Sequence, residues 1–294
     1  PAVLFEWQGP VAFVNSTVLT ATNTVSSQPA GRLFGGPYWT TGAPALGSHA
    51  NSAALSFDEV SDYVAATIPA LASDYTVSAW VFLRAGGTYE GLRAAVLSAT
   101  ECSTSAEVLI HSAPGVSAPQ YLELGRCGEF NGVLGTIPVP LNQWTHIAVC
   151  VSPSRQVSYF IDGVTAGSWD ATGRNVTIGP SVTLGDNSAR FFDGLLDEVQ
   201  IWARACSQAE IAANMTNRLS GTEPGLVAHW SFDDGPGPGI SQLAAEATRI
   251  VAGDAHGLAL RRDGTVFAWG VNRLGQCQVP AGLSNGVDVA AGQA

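Results

Sequence analysis

The chain contains no lysine and few charged residues of any kind. All 13 basic residues are arginine, the acidic residues number 24, and the formal net charge is −11. Charged residues make up 13% of the chain, against roughly 25% in a typical soluble domain. Binding to nucleic acid or to an anionic membrane surface needs clustered positive charge, so we expect neither. No apolar run reaches the roughly 20 residues of a membrane-spanning helix, so we expect no membrane insertion.

The cysteines are few and match no metal-binding pattern. The chain has 5 of them, without the Cys-x-x-Cys or Cys/His spacing that is typical of zinc sites. Cys102 and Cys127 flank a predicted hairpin that would bring them together. We predict a disulfide between them, although spacing alone leaves the connectivity open. Cys150 lies in an apolar run and Cys206 in a strand-to-helix turn, and we interpret both as buried apolar residues.

The pattern along the chain is that of an all-β protein. Short alternating runs are separated by turns about every ten residues, which is typical of a β-sandwich. The run from Tyr75 to Leu83 is apolar or aromatic on both faces and predicts a central strand. The stretch 192–211 differs, because a strand leads directly into a short helix. This helix begins with a predicted capping box between Ser207 and Glu210.

Three motifs resemble those of one superfamily. They are Phe-x-Gly-x-x-Asp-Glu-Val-x-Ile-Trp followed by Ser-x-x-Glu-Ile at 192–211, Leu-Ser-Phe-Asp-Glu-Val-Ser-Asp-Tyr-Val at 55–64, and a hairpin at 144–163. Together they resemble laminin-G-like and pentraxin-like jelly rolls of the concanavalin-like superfamily, with Glu59 where the family usually has glycine. The resemblance implies a two-sheet antiparallel jelly-roll sandwich with one short helix. We place it in a domain of residues 1–239, with a core of about 50–235.

A second resemblance follows the sequence Pro-Gly-Pro-Gly. Residues 249–270 and the stretch after them resemble a repeat of bacterial propellers related to the regulator of chromosome condensation. Gly253 in Val-Ala-Gly-Asp-Ala recurs as Gly292 in Ala-Ala-Gly-Gln-Ala, which predicts one complete repeat and the start of a second. We therefore expect a small C-terminal β repeat unit at 240–294. Because one propeller blade cannot bury both of its faces, this unit would belong to a longer protein, dock on the sandwich or pair with another chain.

The resemblance to the concanavalin-like superfamily argues against catalysis. Laminarinase-type relatives carry Glu-x-Asp-x-x-Glu on one strand, and this motif is absent here. We therefore predict that the protein is not an enzyme. The Asp-Asn loop of the pentraxin calcium site is also missing. Asp197 matches the position of a structural calcium in the laminarinase-type relatives and is our one metal prediction, with backbone amides as its alternative partners. No other cofactor is expected.

Glycan recognition usually relies on aromatic platforms flanked by polar side chains. The candidate ligand-binding residues of these types, in or near predicted loops, are Tyr38, Trp39, Tyr89, Trp169, Asp186, Asn187 and Arg190. We interpret the chain as a non-catalytic binding or adhesion module of a secreted or cell-surface protein, with a glycan as its partner. The alternative is a structural subunit of an extracellular filament or lattice, a homo-polymer assembled by strand addition through residues 248–294.

Overall fold

The protein divides into two compact units, one of Thr20–Pro236 and one that includes Gly237–Ala294. The computed structural model of the chain describes residues 20–35, 37–47, 51–59, 61–84, 93–99, 106–112, 119–126, 135–186, 191–234, 247–253, 256–262, 264–270, 279, 283 and 286–292. Among these residues, no helix has the length and apolar character needed to cross a bilayer.

The larger unit is a sandwich of two antiparallel sheets. In spatial order, sheet A contains β1 (Thr20–Ala21), β2 (Gly31–Phe34), β5 (Tyr63–Thr67), β14 (Ser181–Leu184), β7 (Arg93–Ala99), β8 (Ala106–Ser112), β9 (Gln120–Arg126) and β10 (Pro138–Val139). Sheet B contains β13 (Val164–Asp170), β12 (Gln156–Ile161), β11 (Trp144–Val151), β6 (Tyr75–Leu83), β15 (Asp193–Trp202), β4 (Ala54–Asp58) and β3 (Tyr38–Thr40), with β16 (Leu226–Trp230) also paired to β15. The all-β jelly-roll prediction is confirmed.

Strand β6 lies at the centre of sheet B, between β11 and β15. The residues at alternate positions from Tyr75 to Leu83 point between the sheets and are at most 2% exposed. Burial of each large apolar side chain of this kind stabilises the fold by about 1.5–3 kcal/mol. On the other face of β6, the indole Nε1 of Trp80 donates to the carbonyl oxygen of Met215 at 2.9 Å. Both faces of β6 therefore make contacts inside the protein, as its pattern predicts.

The helix α1 (Gln208–Asn214) begins at the predicted capping box. The amide of Glu210 donates to Ser207 Oγ at 3.3 Å, and the amide of Ser207 donates to Glu210 Oε2 at 2.8 Å. Ile211 is buried in an apolar cluster that also contains Ala148 of β11 and Phe160 of β12. The helix thus covers part of the outer face of sheet B.

One local expectation was wrong. The sequence Gly-Gly-Pro-Tyr-Trp at 35–39 predicts a turn, but Tyr38 and Trp39 lie in β3, which pairs with β4. Trp169 lies in strand β13, one residue before the strand ends. An edge strand of 3 residues, such as β3, is too short to show a period-2 pattern. In contrast, Glu59 keeps the positive φ (65°) that the usual glycine would favour, so the turn forms despite the side chain.

The smaller unit contains an antiparallel sheet in the order β17 (Ala247–Ala252), β18 (His256–Arg261) and β19 (Val266–Gly270). The amide of Gly286 donates to the carbonyl oxygen of Gly264 at 2.9 Å, which ties the following segment to the β18–β19 turn. This arrangement confirms the prediction of a small C-terminal β unit.

Candidate functional site

The outer face of sheet A carries two aromatic rings that stack on each other. In β2, Gly31 and Leu33 are buried and Arg32 is exposed, so Arg32 and Phe34 lie on the face that points away from the core. Phe34 is the direct cross-strand partner of Tyr63 in β5. Their ring centroids are 4.8 Å apart and the ring planes differ by 10°. Both rings are half-buried, so each keeps part of its surface open to solvent.

Charged groups flank these rings on two sides. The guanidinium carbon of Arg32 lies 5.5 Å from the centroid of Phe34, within cation–π distance. Asp186 comes two positions after Leu184, which pairs with Val64, the neighbour of Tyr63. Burial raises the pKa of Tyr63, and the negative charge of Asp186 raises it further. We call the set Arg32, Phe34, Tyr63 and Asp186 the aromatic patch.

The backbone after β14 positions Asp186. Gly185 has φ of +86°, and a Cβ at this position would come within 2.5 Å of the ring of Phe57, so only glycine fits. The hydroxyl of Thr183 donates to the carbonyl oxygen of Asp186 at 2.6 Å. Asp186 itself is 8% exposed. Its position is therefore set by backbone contacts and not by a flexible loop.

A row of buried polar residues continues the same face across β14, β7 and β8. Thr183 pairs with Ser98, and the Ser98 hydroxyl donates to Glu107 Oε1 at 2.5 Å. Glu123 of β9 lies on the same face, two positions from the cross-strand partner of Glu107. Both glutamates are 0% exposed. These carboxylates on neighbouring strands are therefore closed off from solvent.

The ligand-binding residues predicted from sequence do not converge on one place. Asp186 lies in the aromatic patch, whereas Tyr38 and Trp39 lie on one edge strand of sheet B and Trp169 on the other. Six strand spacings, roughly 29 Å, separate these two edges. The indole of Trp169 is also engaged internally, because its Nε1 donates to the Tyr159 hydroxyl at 2.9 Å. The other predicted residues, Tyr89, Asn187 and Arg190, lie outside the described residues, as does the predicted disulfide of Cys102 and Cys127.

Asp197 lies on the outer face of sheet B and is fully buried. Its Oδ2 accepts from the Asn51 amide at 2.6 Å, and its Oδ1 accepts from the Glu198 amide at 2.9 Å. Burial is the main cause that raises the pKa of this carboxyl well above its ordinary value. The Asn51 amide also donates to the carbonyl oxygen of Pro44 at 3.1 Å, whereas Asn51 Oδ1 is buried without a partner among the described residues.

This geometry bears on the calcium prediction. The Asn51 amide nitrogen lies between the Asp197 carboxylate and the carbonyl oxygen of Pro44, and these supply two of the six to eight oxygens that Ca²⁺ takes. Rotation of the Asn51 amide would turn its unused Oδ1 toward the carboxylate. No group of three or more His, Cys, Asp or Glu side chains is placed to hold a metal within the described ranges. The calcium site at Asp197 therefore stays a prediction.

A second buried polar group lies beside Asp197. Glu198 has φ of 47° at a bulge in β15, and its Oε2 is 2.7 Å from His229 Nε2. His229 Nδ1 is 2.8 Å from the Thr24 hydroxyl. A histidine protonated at Nε2 donates to the carboxylate and accepts from the hydroxyl, so one tautomer satisfies both contacts. This network ties residue 24 to β16 and satisfies both ring nitrogens of His229.

Sequence reasoning missed Arg32, Phe34 and Tyr63. The alternation of Gly31 to Phe34 is visible in the sequence, but four residues are a weak strand signal within a stretch rich in Gly, Pro, Ser and Thr. The pairing of β2 with β5 joins residues that are far apart in the chain. The stack therefore becomes visible only in the folded protein.

The fold agrees with the comparison against known families. The model of the concanavalin A-like lectin/glucanase superfamily matches residues 58–212, just over half of the chain, and the chain belongs to this superfamily. The model of the regulator of chromosome condensation (RCC1) repeat matches residues 247–276, which include all three strands of the smaller sheet. Both family resemblances predicted from sequence motifs are confirmed.

Solved structures resemble the chain at low sequence identity. A native heptameric SAP-like pentraxin from Limulus polyphemus is 17% identical, over 55% of this chain and 82% of its own, with a TM-score of 0.42. Domain 4 of AbnA, a GH43 extracellular arabinanase from Geobacillus stearothermophilus, was solved with arabinotriose. It is 20% identical over 67% of this chain and 99% of its own, with a TM-score of 0.47. The binding domain of Paraclostridial Mosquitocidal Protein 1 is 13% identical over 67% of this chain and 51% of its own, with a TM-score of 0.47. The chain thus spans about half the length of that binding domain.

Proposed function

We propose that the sandwich is a non-catalytic glycan-binding module of a secreted or cell-surface protein, and that the aromatic patch on sheet A holds the sugar. The observation that carries this proposal is the half-exposed stack of Phe34 on Tyr63, with Arg32 on one side and Asp186 on the other. Membership of a superfamily named for lectins and glucanases supports it.

The chemistry of the patch suits a sugar ring. The apolar C–H face of a pyranose or furanose packs on an aromatic surface, whereas its hydroxyl edge needs hydrogen-bond donors and acceptors. Arg32 supplies donors only, Asp186 supplies acceptors, and the Tyr63 hydroxyl supplies both. Because Phe34 and Tyr63 are locked by their cross-strand stack, little side-chain entropy is lost when a ligand binds.

The same face favours binding over hydrolysis. A retaining glycosidase needs two carboxyl groups about 5–5.5 Å apart that both reach the glycosidic bond. Glu107 and Glu123 lie on neighbouring strands of this face, but both are fully buried.

The test is a glycan array on the whole chain, followed by calorimetric titration of the best glycan. We expect Phe34→Ala to weaken binding about 10–100-fold, since stacked aromatic contacts contribute on the order of 1–3 kcal/mol. The matched control is Tyr38→Ala, because Tyr38 is 55% exposed on the other sheet. This control should keep its affinity within about twofold. Unchanged affinity of Phe34→Ala, or loss of binding in Tyr38→Ala alone, would contradict the proposed site.

One observation favours the structural-subunit alternative. Ile250 is 62% exposed on β17, an end strand of the smaller sheet, so an apolar side chain stands beside a strand edge. Such an edge favours addition of a strand from another chain. Light scattering of the whole chain over a range of concentrations tests this. Growth in mass that Ile250→Glu abolishes would support a homo-polymer, whereas a constant monomer mass would exclude it.

A further inference from the structure

Two free thiols meet on the outer face of sheet B. Cys150 in β11 is the cross-strand partner of Thr76 in β6. The backbone of Cys206 passes over the same position, because its amide donates to the Thr76 hydroxyl at 2.9 Å. The thiol of Cys150 donates to the carbonyl oxygen of Cys206 at 3.6 Å. The two cysteines are therefore in direct contact although 56 positions separate them in the chain.

The surroundings of these thiols are apolar. Cys150 and Cys206 are 8% and 5% exposed, and both belong to the cluster that contains Trp202 and Ile211. In such a cluster a thiol serves only as a small apolar group, a part that Ala, Val or Leu would also fill. Two cysteines in contact at these positions, in a chain with only 5 cysteines, suggest a chemical role for the pair.

We propose that Cys150 and Cys206 are a disulfide site, oxidised by small-molecule disulfides, which joins β11 to the segment before α1. The thiolate of one cysteine attacks a disulfide such as oxidised glutathione and releases one glutathione thiol. The second cysteine then attacks the mixed disulfide, forms the S–S bond and releases the second glutathione. Two electrons and two protons leave the protein, and the oxidant is reduced to two thiols.

The fold controls when this reaction occurs. Burial raises the pKa of both thiols. In the closed fold both groups are protonated and shielded, which slows attack on an oxidant. The bond therefore forms during folding, or when the segment before α1 opens. Once formed, it holds Ser207 and the capped start of α1 against sheet B.

The experiment leaves only these two thiols in the whole chain. Cys102, Cys127 and Cys277 are replaced by serine, and the protein is incubated with oxidised glutathione, denatured, alkylated and weighed. We expect a monomer that is lighter by two hydrogens and takes up no alkyl group. Its Tm should exceed that of the reduced form by about 5–15 °C, the range for a disulfide in a domain of this size. The further change Cys206→Ser should abolish both effects.

Three outcomes would overturn the proposal: two alkylated thiols, stable glutathione adducts, or disulfide-linked dimers. If the serine variant does not fold, the wild-type chain gives the answer. Trypsin cuts after Arg204 and Arg218 and so isolates Cys206, and chymotrypsin cuts after Trp144 and separates Cys127 from Cys150. The non-reduced digest of oxidised protein should contain the Cys150–Cys206 pair. A Cys206 peptide that is unlinked, or linked to another cysteine, contradicts the proposal.

Discussion

His146 makes the stability of the sandwich sensitive to acid. It lies on the outer face of β11, is 1% exposed, and packs edge-on against Trp80 with a centroid distance of 5.5 Å. Neither ring nitrogen has a hydrogen-bond partner among the described residues. Burial lowers the pKa of His146 from its ordinary value of 6.5 to about 3. The imidazole is therefore neutral in the fold at every pH at which the protein is handled.

The sign of the effect follows from proton linkage. Below about pH 6.5 the unfolded chain binds a proton at His146 that the folded chain does not bind, so acid favours unfolding. The difference between the two pKa values corresponds to about 5 kcal/mol in total, which is reached only near pH 3. Between about pH 7.5 and about pH 5 the expected loss from this one group is about 2 kcal/mol.

The variant His146→Phe removes the titrating group and keeps an aromatic ring against Trp80. We expect it to be at least as stable as the wild type at neutral pH, because a buried polar group without partners is lost. Urea unfolding of the whole chain at about pH 7.5 and about pH 5 should show a smaller acid-induced loss in the variant, by about 2 kcal/mol. The contributions of the other titrating groups are the same in both proteins, so they cancel when the acid-induced loss of the variant is subtracted from that of the wild type.

The matched control is Arg32→Gln, on the exposed face of sheet A, which should keep the full pH dependence of the wild type. Equal pH dependence in His146→Phe and in the wild type would refute the reasoning, since it would mean that His146 is solvated or paired in the fold.

Other predictions concern single positions in the sandwich. The pKa of Asp197 is raised in the fold, so ionisation of this carboxyl destabilises the folded state increasingly as pH rises above 3.8. The variant Asp197→Asn should therefore gain stability relative to the wild type between acidic and neutral pH, as measured by urea unfolding. Millimolar Ca²⁺ should raise the Tm of the wild type but not of this variant if Asp197 holds the metal, and equal Tm values with calcium and with EGTA would exclude the site. Ser207→Ala should lose about 1 kcal/mol through the missing cap of α1, whereas exposed Ser154→Ala should be neutral in the same urea assay. Glu59→Gly should gain up to about 1 kcal/mol because φ is 65° there, and a loss would show that the side chain outweighs the strain.

The sequence predicts those parts of the fold whose determinants are local. The capping box of Ser207 and Glu210, the period-2 pattern of β6 and the hairpin at 144–163 each depend on residues that are close together in the chain, and all three are confirmed. The aromatic patch depends on the register between β2 and β5, which is set by packing and is not encoded in any short window. For the same reason, Trp39 and Trp169 are both plausible ligand-binding residues by composition, yet they lie at opposite edges of one sheet.

The outer face of sheet B and the aromatic patch on sheet A differ in their exposure to solvent. On sheet B the central outward residues, such as His146, Asp197 and Gln200, are at most 1% exposed. Two of them have internal hydrogen-bond partners, because Asn51 binds Asp197 and the carbonyl oxygen of Asn214 accepts from Gln200 at 3.3 Å. The ring of His146 packs against Trp80 instead. Sheet A instead holds a charged and aromatic patch at its surface, without a helix over it in the described part of the chain. The polar residues of sheet B thus contribute to the fold, whereas Arg32 and the half-buried rings of the aromatic patch are accessible to a ligand.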